Sequence, residues 1–151
     1  MRVLFGDHEI WPVKTIPFAI NKVQHPLPSA KRCYKLGQAL QKAIESYPED
    51  LNVVIASMGG MFHQLQGERA GIMDVEYDLP CMDSIINKPS WFYGQMNGEI
   101  IEKAGTEGIE TIMWLTMRGE MGDKVNCLHK HYHAPISSNG AGVLLHTSED
   151  E

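Results

Sequence analysis

The sequence has few of the residues that build disulfide frameworks, spanning segments or nucleic-acid surfaces. Its cysteines, Cys33, Cys81 and Cys127, are odd in number and far apart, so neither a disulfide framework nor a thiolate zinc site is expected. It contains no apolar run long enough to cross a membrane and no secretory signal pattern, and the cytoplasm is the expected compartment. A net charge of −6 argues against nucleic acid or an anionic membrane surface as the main partner.

The length and composition that remain are those of a globular domain. Hydrophobic residues make up 43% and charged residues 21% of 151 residues, which is ordinary for a soluble protein. A chain of this length can bury one core but is too short for two. We therefore treat residues 1–151 as a single domain.

The first half of the chain shows a strand–helix–strand pattern. Residues 13–20 predict a strand, at an edge or bulge because Pro17 cannot donate a hydrogen bond. Ser29 is a helix N-cap, residues 30–47 carry apolar positions at helical spacing, and Pro48 ends the helix. The β-branched run at 53–56 predicts a buried strand over 51–57. Together these elements predict a right-handed parallel crossover and the α/β class.

The second half is mainly helical in pattern. A short helix is predicted over 77–87, broken near Pro80 and Pro89, and another follows from Ser90 until Gly105 closes it. A further helix runs from Thr106 to Gly119, and a strand is predicted over 143–146.

His63 follows the predicted buried strand and the pair Gly59-Gly60. The carboxyl ends of strands are where open α/β folds place their ligands, and imidazole can accept or donate a proton near neutral pH. His63 is therefore a candidate acid or base. A histidine packed in a turn and satisfied by backbone groups explains this stretch equally well.

Glu110 lies among apolar neighbours in the predicted helix 106–119. A carboxylate in such surroundings must be paired, protonated, bound to a metal or turned to solvent. On this pattern alone, a glutamate on the solvent face of the helix is the commoner case.

A histidine cluster precedes a flexible turn near the end of the chain. His129, His131 and His133 would share one face of an extended segment, a spacing that could hold zinc, copper or iron. An exposed half-strand is the more frequent meaning of such alternation. The turn at 135–142 offers hydroxyls and backbone N–H groups that could hold a carboxylate, although ordinary loop chemistry also explains it.

Three motifs, in this order, carry a family resemblance: VQHPLPS at 23–29, GG-x-x-HQL-x-G-x-R at 59–69 and AGTEGIETIMWL at 104–115. Together they resemble the C-terminal half of the catalytic subunit of class III extradiol ring-cleavage dioxygenases. The most similar type is the β subunit of protocatechuate 4,5-dioxygenase, with its gallate and methylgallate relatives. The similarity covers nearly all of the chain. It implies the C-terminal part of a mixed-sheet, sandwich-like α/β domain with helices packed on the sheet.

The resemblance also implies a chemistry. Members of this family cleave a catechol-type ring beside its hydroxyls, using O2 and a non-haem Fe(II) held by two histidines and one glutamate. Glu110 matches the carboxylate ligand, and His63 matches the active-site acid/base. Ser137 and Ser138 fall where the family binds the ring carboxylate of its substrate. Protocatechuate, gallate and methylated relatives are all compatible with these residues.

The sequence departs from the family in one respect. The two iron-binding histidines belong to the family's N-terminal half, which we expect to be absent here, and His8 lies in a segment that matches the family's middle. One carboxylate does not hold Fe(II) firmly, so the chain alone is expected to be metal-poor and inactive.

Three hypotheses follow from this departure. The chain needs ligands from another chain; or it is a non-catalytic aromatic-acid-binding or interaction remnant; or His8 or the histidines of 129–133 rebuild a metal site with Glu110. Half a domain would leave an open sheet edge, so we expect a homo-oligomer, or association with a chain supplying the missing half or with a small subunit.

Overall fold

The computed structural model describes residues 6, 7, 10, 12–135 and 140–148. Five α-helices lie in these ranges: α1 (Ala30–Glu45), α2 (Val75–Asn87), α3 (Pro89–Tyr93), α4 (Asn97–Ala104) and α5 (Ile112–Glu120). A 3₁₀ turn, Gly108–Thr111, leads into α5. Strands β1 (Val125–His133) and β2 (Ala141–Ser148) form an antiparallel pair in which His131 lies opposite Val143. The mixed α/β class is confirmed.

The predicted helices form where local signals are strong. Ser29 caps α1 by accepting a hydrogen bond from Arg32 N at 3.2 Å, and Gly105 ends α4 with a positive φ of 83°, as the sequence predicts. Pro80 does not break α2. It lies in the second turn, where a missing N–H group removes one hydrogen bond.

Two boundaries within the helical half differ from the predicted ones. The helix predicted from Ser90 to Gly105 is divided into α3 and α4, with residues 94–96 between them. The helix predicted from Thr106 begins as the tighter 3₁₀ turn, which contains Glu110. Glu110 therefore stands at the entry to α5 and not inside a regular helix.

The predicted strands over 13–20 and 51–57 are wrong for this structure. Neither segment is assigned to a sheet, and Ile16 and Val54 are 90% and 85% exposed. The parallel crossover is therefore not formed within the described ranges. β-Branched residues favour extended backbone, but a strand is stabilised only when another strand pairs with it.

The core lies between the helices, and α1 crosses α5 at two glycines. A Cβ atom at Gly37 would lie 2.0 Å from Thr116 O, and one at Gly119 would lie 2.1 Å from Tyr34 O. The backbones therefore approach as closely as two helices can. The largest apolar side chains in this core include Phe62, Phe92, Met61, Met82, Ile85, Ile100, Ile109, Ile112 and Leu115.

The cysteines are free thiols, as expected from their spacing. Burial raises the pKa of Cys33 to about 11 and that of Cys81 to about 12, so both are protonated at neutral pH and act as small apolar core residues. Across the ranges described above, no helix is both long and apolar enough to span a membrane.

Candidate functional site

His63 is held in a loop by its own backbone and by its buried neighbours. Met61 and Phe62 are fully buried, and His63 is 9% exposed. The His63 backbone N donates to Ala104 O at 3.1 Å, and its ring Nδ1 lies 2.9 Å from Met61 O. Because a carbonyl can only accept, Nδ1 carries the proton in the neutral ring, which leaves Nε2 to accept another.

Gly105 lets this loop lie directly against the end of α4. A Cβ atom at Gly105 would meet His63 O at 2.3 Å, and its φ of +83° is one that other residues rarely adopt. The geometry of Gly105 thus fixes the backbone of His63 as well as ending the helix.

Glu110 is paired and half-buried, so the solvent-facing interpretation is wrong. Its Oε1 forms an ion pair with Lys22 Nζ, and its Oε2 accepts a hydrogen bond from Gly60 N at 3.0 Å. The side chains of Lys22 and Glu110 are 27% and 22% exposed. Burial alone would raise the pKa of Glu110, but the Lys22 and Gly60 hydrogen bonds and the charges of Lys22 and His63 outweigh it and lower the pKa.

Lys22 was not singled out by its sequence pattern. It lies in a turn where Asn21 Oδ1 accepts hydrogen bonds from Val23 N at 3.2 Å and Gln24 N at 3.0 Å. This Asx-type turn is a local signal that predicts the bend. It does not predict that Lys22 pairs with Glu110, which is 88 positions away in the sequence.

Glu110 lines an open cleft of about 460 Å³. The other lining residues are mostly glycines and small residues: Met58, Gly59, Gly60, Gly140, Ala141 and Gly142. Gly59 is packed so closely that a Cβ atom there would meet Glu110 O at 2.7 Å, and its carbonyl accepts a hydrogen bond from Trp114 Nε1 at 3.2 Å. Walls without side chains allow a flat ring to approach the backbone closely.

Asp78 is a buried carboxylate that the sequence pattern did not reveal. It is 1% exposed. Its Oδ1 accepts from Phe62 N at 2.8 Å and its Oδ2 accepts from Tyr132 OH at 2.7 Å. Burial raises the pKa of Asp78, and these two hydrogen bonds oppose the rise. The only local signal is an acidic residue in the first turns of α2, which many helices share.

Ser137 and Ser138, like His8, lie outside the described residues, so their roles stay predictions. The structure does place Gly140, the first described residue after them. Gly140 N donates to Phe62 O at 3.1 Å, and Gly140 O accepts from Met61 N at 3.3 Å. The end of the 135–142 turn therefore contacts the His63 loop.

The histidine cluster lies on β1 and its three side chains are exposed. The rings of His129 and His131 stack with centroids 6.4 Å apart. Among the described residues, no group of three or more histidines, cysteines or carboxylates is arranged to hold a metal ion. The proposal that His129, His131 and His133 rebuild a site with Glu110 is therefore not supported. By themselves, the described side chains do not fit an iron centre: they offer one cleft carboxylate, already neutralised by Lys22.

Replacing Lys22 by methionine is expected to lower the free energy of unfolding by about 1 kcal/mol at neutral pH. Because the folded-state pKa of Glu110 is below its ordinary 4.5, the pair stabilises the fold above that value and ceases to as pH falls through the folded pKa. The difference between wild type and Lys22→Met in urea unfolding curves should thus be fully present above pH 4.5 and should shrink as the pH falls through the lowered folded-state pKa of Glu110. Lys35→Met, at an exposed position of α1, is the control and should show no such trend.

Comparison with known proteins shows what the whole chain is similar to. A family model described as the catalytic LigB subunit of aromatic ring-opening dioxygenase matches residues 1–144. Gallate dioxygenase of Pseudomonas putida is 42% identical over 151 residues, which is 100% of this chain and 44% of that protein. The chain thus spans less than half the length of this relative. Because the family model covers almost the whole sequence, the chain belongs to the family of catalytic LigB subunits of aromatic ring-opening dioxygenases.

Proposed function

We propose that this chain forms part of the active site of an extradiol dioxygenase that cleaves a catechol-type aromatic acid with O2 and non-haem Fe(II). Protocatechuate and gallate are the proposed substrates. The proposal is supported most directly by the glycine-walled cleft, which has the Glu110 carboxylate at its wall and includes Gly140, whose backbone bonds to the loop that carries His63. An aromatic ring needs an open cleft with flat walls, and its hydroxyl needs a nearby acid/base group.

His63 is the proposed acid/base. Its Nδ1 is occupied by Met61 O, so Nε2 is the atom that would take a proton from a substrate hydroxyl and later return it. The loop is anchored by the fully buried Met61 and Phe62 and holds the ring with little freedom, which is what a positioned proton acceptor requires.

Substrate recognition is assigned to the turn before Gly140. Ser137 and Ser138 are the proposed ligands of the ring carboxylate, because hydroxyls and free backbone N–H groups suit a carboxylate. Their position next to Gly140, which bonds to the His63 loop, supports placing the acid group at that side of the cleft.

Glu110 is the proposed contribution of this chain to the iron site. Fe(II), when bound, supplies the open coordination positions at which a catecholic ring and O2 are brought together. Since the described residues offer no further ligands beside Glu110, we propose that the remaining ligands come from outside them. A chain supplying the rest of the family domain, a second copy or a small subunit are the proposed partners, in the cytoplasm.

The alternative is a non-catalytic remnant that binds aromatic acids or another subunit. The Lys22–Glu110 ion pair favours it in one respect, because a cleft whose carboxylate is already neutralised is stable without a metal. The two proposals differ in what they require: ring cleavage needs iron and oxygen, whereas the remnant binds the acid without either.

The test uses the relative that the chain resembles. The segment of Pseudomonas putida gallate dioxygenase outside the 44% aligned with this chain is co-expressed with this chain and purified anaerobically with Fe(II). Oxygen uptake on gallate and protocatechuate is then recorded. The same segment co-expressed with its own matching half is the positive control.

We expect iron near one per assembly and oxygen uptake on at least one of the two acids. If the positive control is active and this chain's assembly binds the acid but consumes no oxygen, the non-catalytic alternative replaces the proposal. If it binds neither iron nor acid, both are wrong.

A further inference from the structure

Asp78 connects three parts of the chain that meet at the proposed site. It belongs to α2, its Oδ1 accepts from the backbone of Phe62 at 2.8 Å, and its Oδ2 accepts from Tyr132 of β1 at 2.7 Å. No solvent reaches it, since its exposed fraction is 1%. A buried carboxylate that bonds to two separate segments restrains both of them.

The same carboxylate also lies against Gly140, the residue that precedes β2. A Cβ atom at Gly140 would lie 2.4 Å from Asp78 Oδ2 and 2.6 Å from Tyr132 Oη. Only glycine therefore fits at position 140 against this pair. Gly140 in turn bonds with both Phe62 O and Met61 N, so both backbone polar groups of Phe62 have partners in one small cluster.

Within this cluster, Phe62 directly precedes His63 in the sequence. From the α2 side, Asp78 holds the loop by accepting the hydrogen bond of Phe62 N. We infer that Asp78 and Tyr132 form a positioning pair, which sets the distance between the His63 loop and Gly140, the residue that leads into β2. This inference rests on the proposed function for its consequence in ring cleavage, but the restraint itself can be measured without substrate.

The Asp78–Tyr132 pair differs from another hydrogen bond of the same helix because Asp78 also bonds to the backbone of the His63 loop. Tyr77, the residue before Asp78 in α2, also donates from a half-buried hydroxyl, at 3.0 Å to Gln95 Oε1. That bond joins α2 to the segment between α3 and α4 and does not contact residues 61–63. Tyr77→Phe is therefore the matched control: it deletes a hydroxyl on the same helix and leaves the His63 loop alone.

The experiment compares Asp78→Ala, Asp78→Asn, Tyr132→Phe and Tyr77→Phe in the full chain. Amide hydrogen exchange is followed at Phe62 and Gly140, and the ring nitrogen signals of His63 are recorded by NMR. We expect exchange at Phe62 to become at least about tenfold faster in Asp78→Ala, with a shift of the His63 ring signals. Asp78→Asn should restore most of the protection, because its oxygen can accept from Phe62 N while its amide donates to Tyr132 Oη.

Tyr132→Phe covers the case in which Asp78→Ala does not fold. It should move the His63 ring signals and the Gly140 exchange rate, while its midpoint of unfolding changes no more than that of Tyr77→Phe. If Tyr132→Phe and Tyr77→Phe leave the His63 and Gly140 signals equally unchanged, the pair is only a packing feature and the inference is wrong. Because these signals are recorded without iron or substrate, that result is distinct from a failure of the oxygen-uptake test.

The assembly of this chain with the co-expressed Pseudomonas putida segment is called the hybrid assembly. In it, the same variants are compared by their kcat and KM for oxygen uptake. Asp78→Ala should lower kcat for oxygen uptake more than it raises KM for the acid, since Asp78 bonds directly to the backbone beside His63 but meets the segment before β2 only by contact with Gly140. Asp78→Asn should recover most of kcat. A purely structural role would instead lower the amount of active enzyme and leave kcat per folded assembly unchanged.

Discussion

Gly119→Ala is expected to lower the free energy of unfolding by about 3 kcal/mol or more. The added Cβ would meet Tyr34 O at 2.1 Å and Tyr34 C at 3.0 Å. Both are backbone atoms of α1, so no side chain can turn away to make room. The two helices must separate, which opens the core contacts between α1 and α5 along their whole length. Chemical denaturation followed by circular dichroism measures the effect.

Gly98→Ala is the matched control for this substitution. Gly98 lies in α4, is exposed, and a Cβ there would meet nothing within 4 Å. Alanine should therefore stabilise the chain by a few tenths of a kcal/mol to about 1 kcal/mol, because it loses less backbone entropy on folding. Equal and small effects of the two substitutions would mean that α1 and α5 are not in the close contact described here.

The helices could be predicted from the sequence because their signals are local. Ser29 caps α1 three residues from its partner, Arg32 N, and Gly105 ends α4 through its own backbone conformation. Periodicity at 3.6 residues is likewise a property of one segment. Each of these signals can be read without knowing what the segment contacts.

Whether residues 13–20 and 51–57 form strands could not be predicted from local signals. Their β-branched residues are suited to extended backbone, yet Val54 is 85% exposed and no neighbouring strand lies beside it in the described ranges. Pairing depends on a second segment, and composition gives no information about whether that segment is present. β1 and β2 formed because both partners lie close together in one chain.

The site shows the same division between local and long-range information. His63 and Glu110 were found through their motifs, but their partners were not. Glu110 meets Lys22 at a separation of 88 positions, and Asp78 meets Tyr132 at 54. Contacts at such separations follow from the folded topology, and a single sequence contains no local pattern that predicts them.

Glu110→Gln is expected to remove oxygen uptake by the hybrid assembly almost completely. The amide keeps the shape of the side chain and can still accept from Gly60 N, but it has no charge with which to bind iron or to pair with Lys22. The loss should exceed the roughly 10–100-fold that changing an outer-shell partner of a metal ligand costs. Iron content per assembly should fall with it, and both are measured on protein purified anaerobically.

Glu107→Gln is the control, because Glu107 lies three positions earlier and does not line the cleft. Its carboxylate instead accepts from Leu65 N at 3.1 Å and from Thr106 Oγ1 at 2.6 Å, so its replacement should leave iron content nearly unchanged. If Glu110→Gln kept both iron and activity, the Glu110 carboxylate would be only the counter-ion of Lys22. The iron ligands would then all lie elsewhere. Ring cleavage could no longer be assigned to the cleft between Gly59 and Gly142 on the basis of its carboxylate.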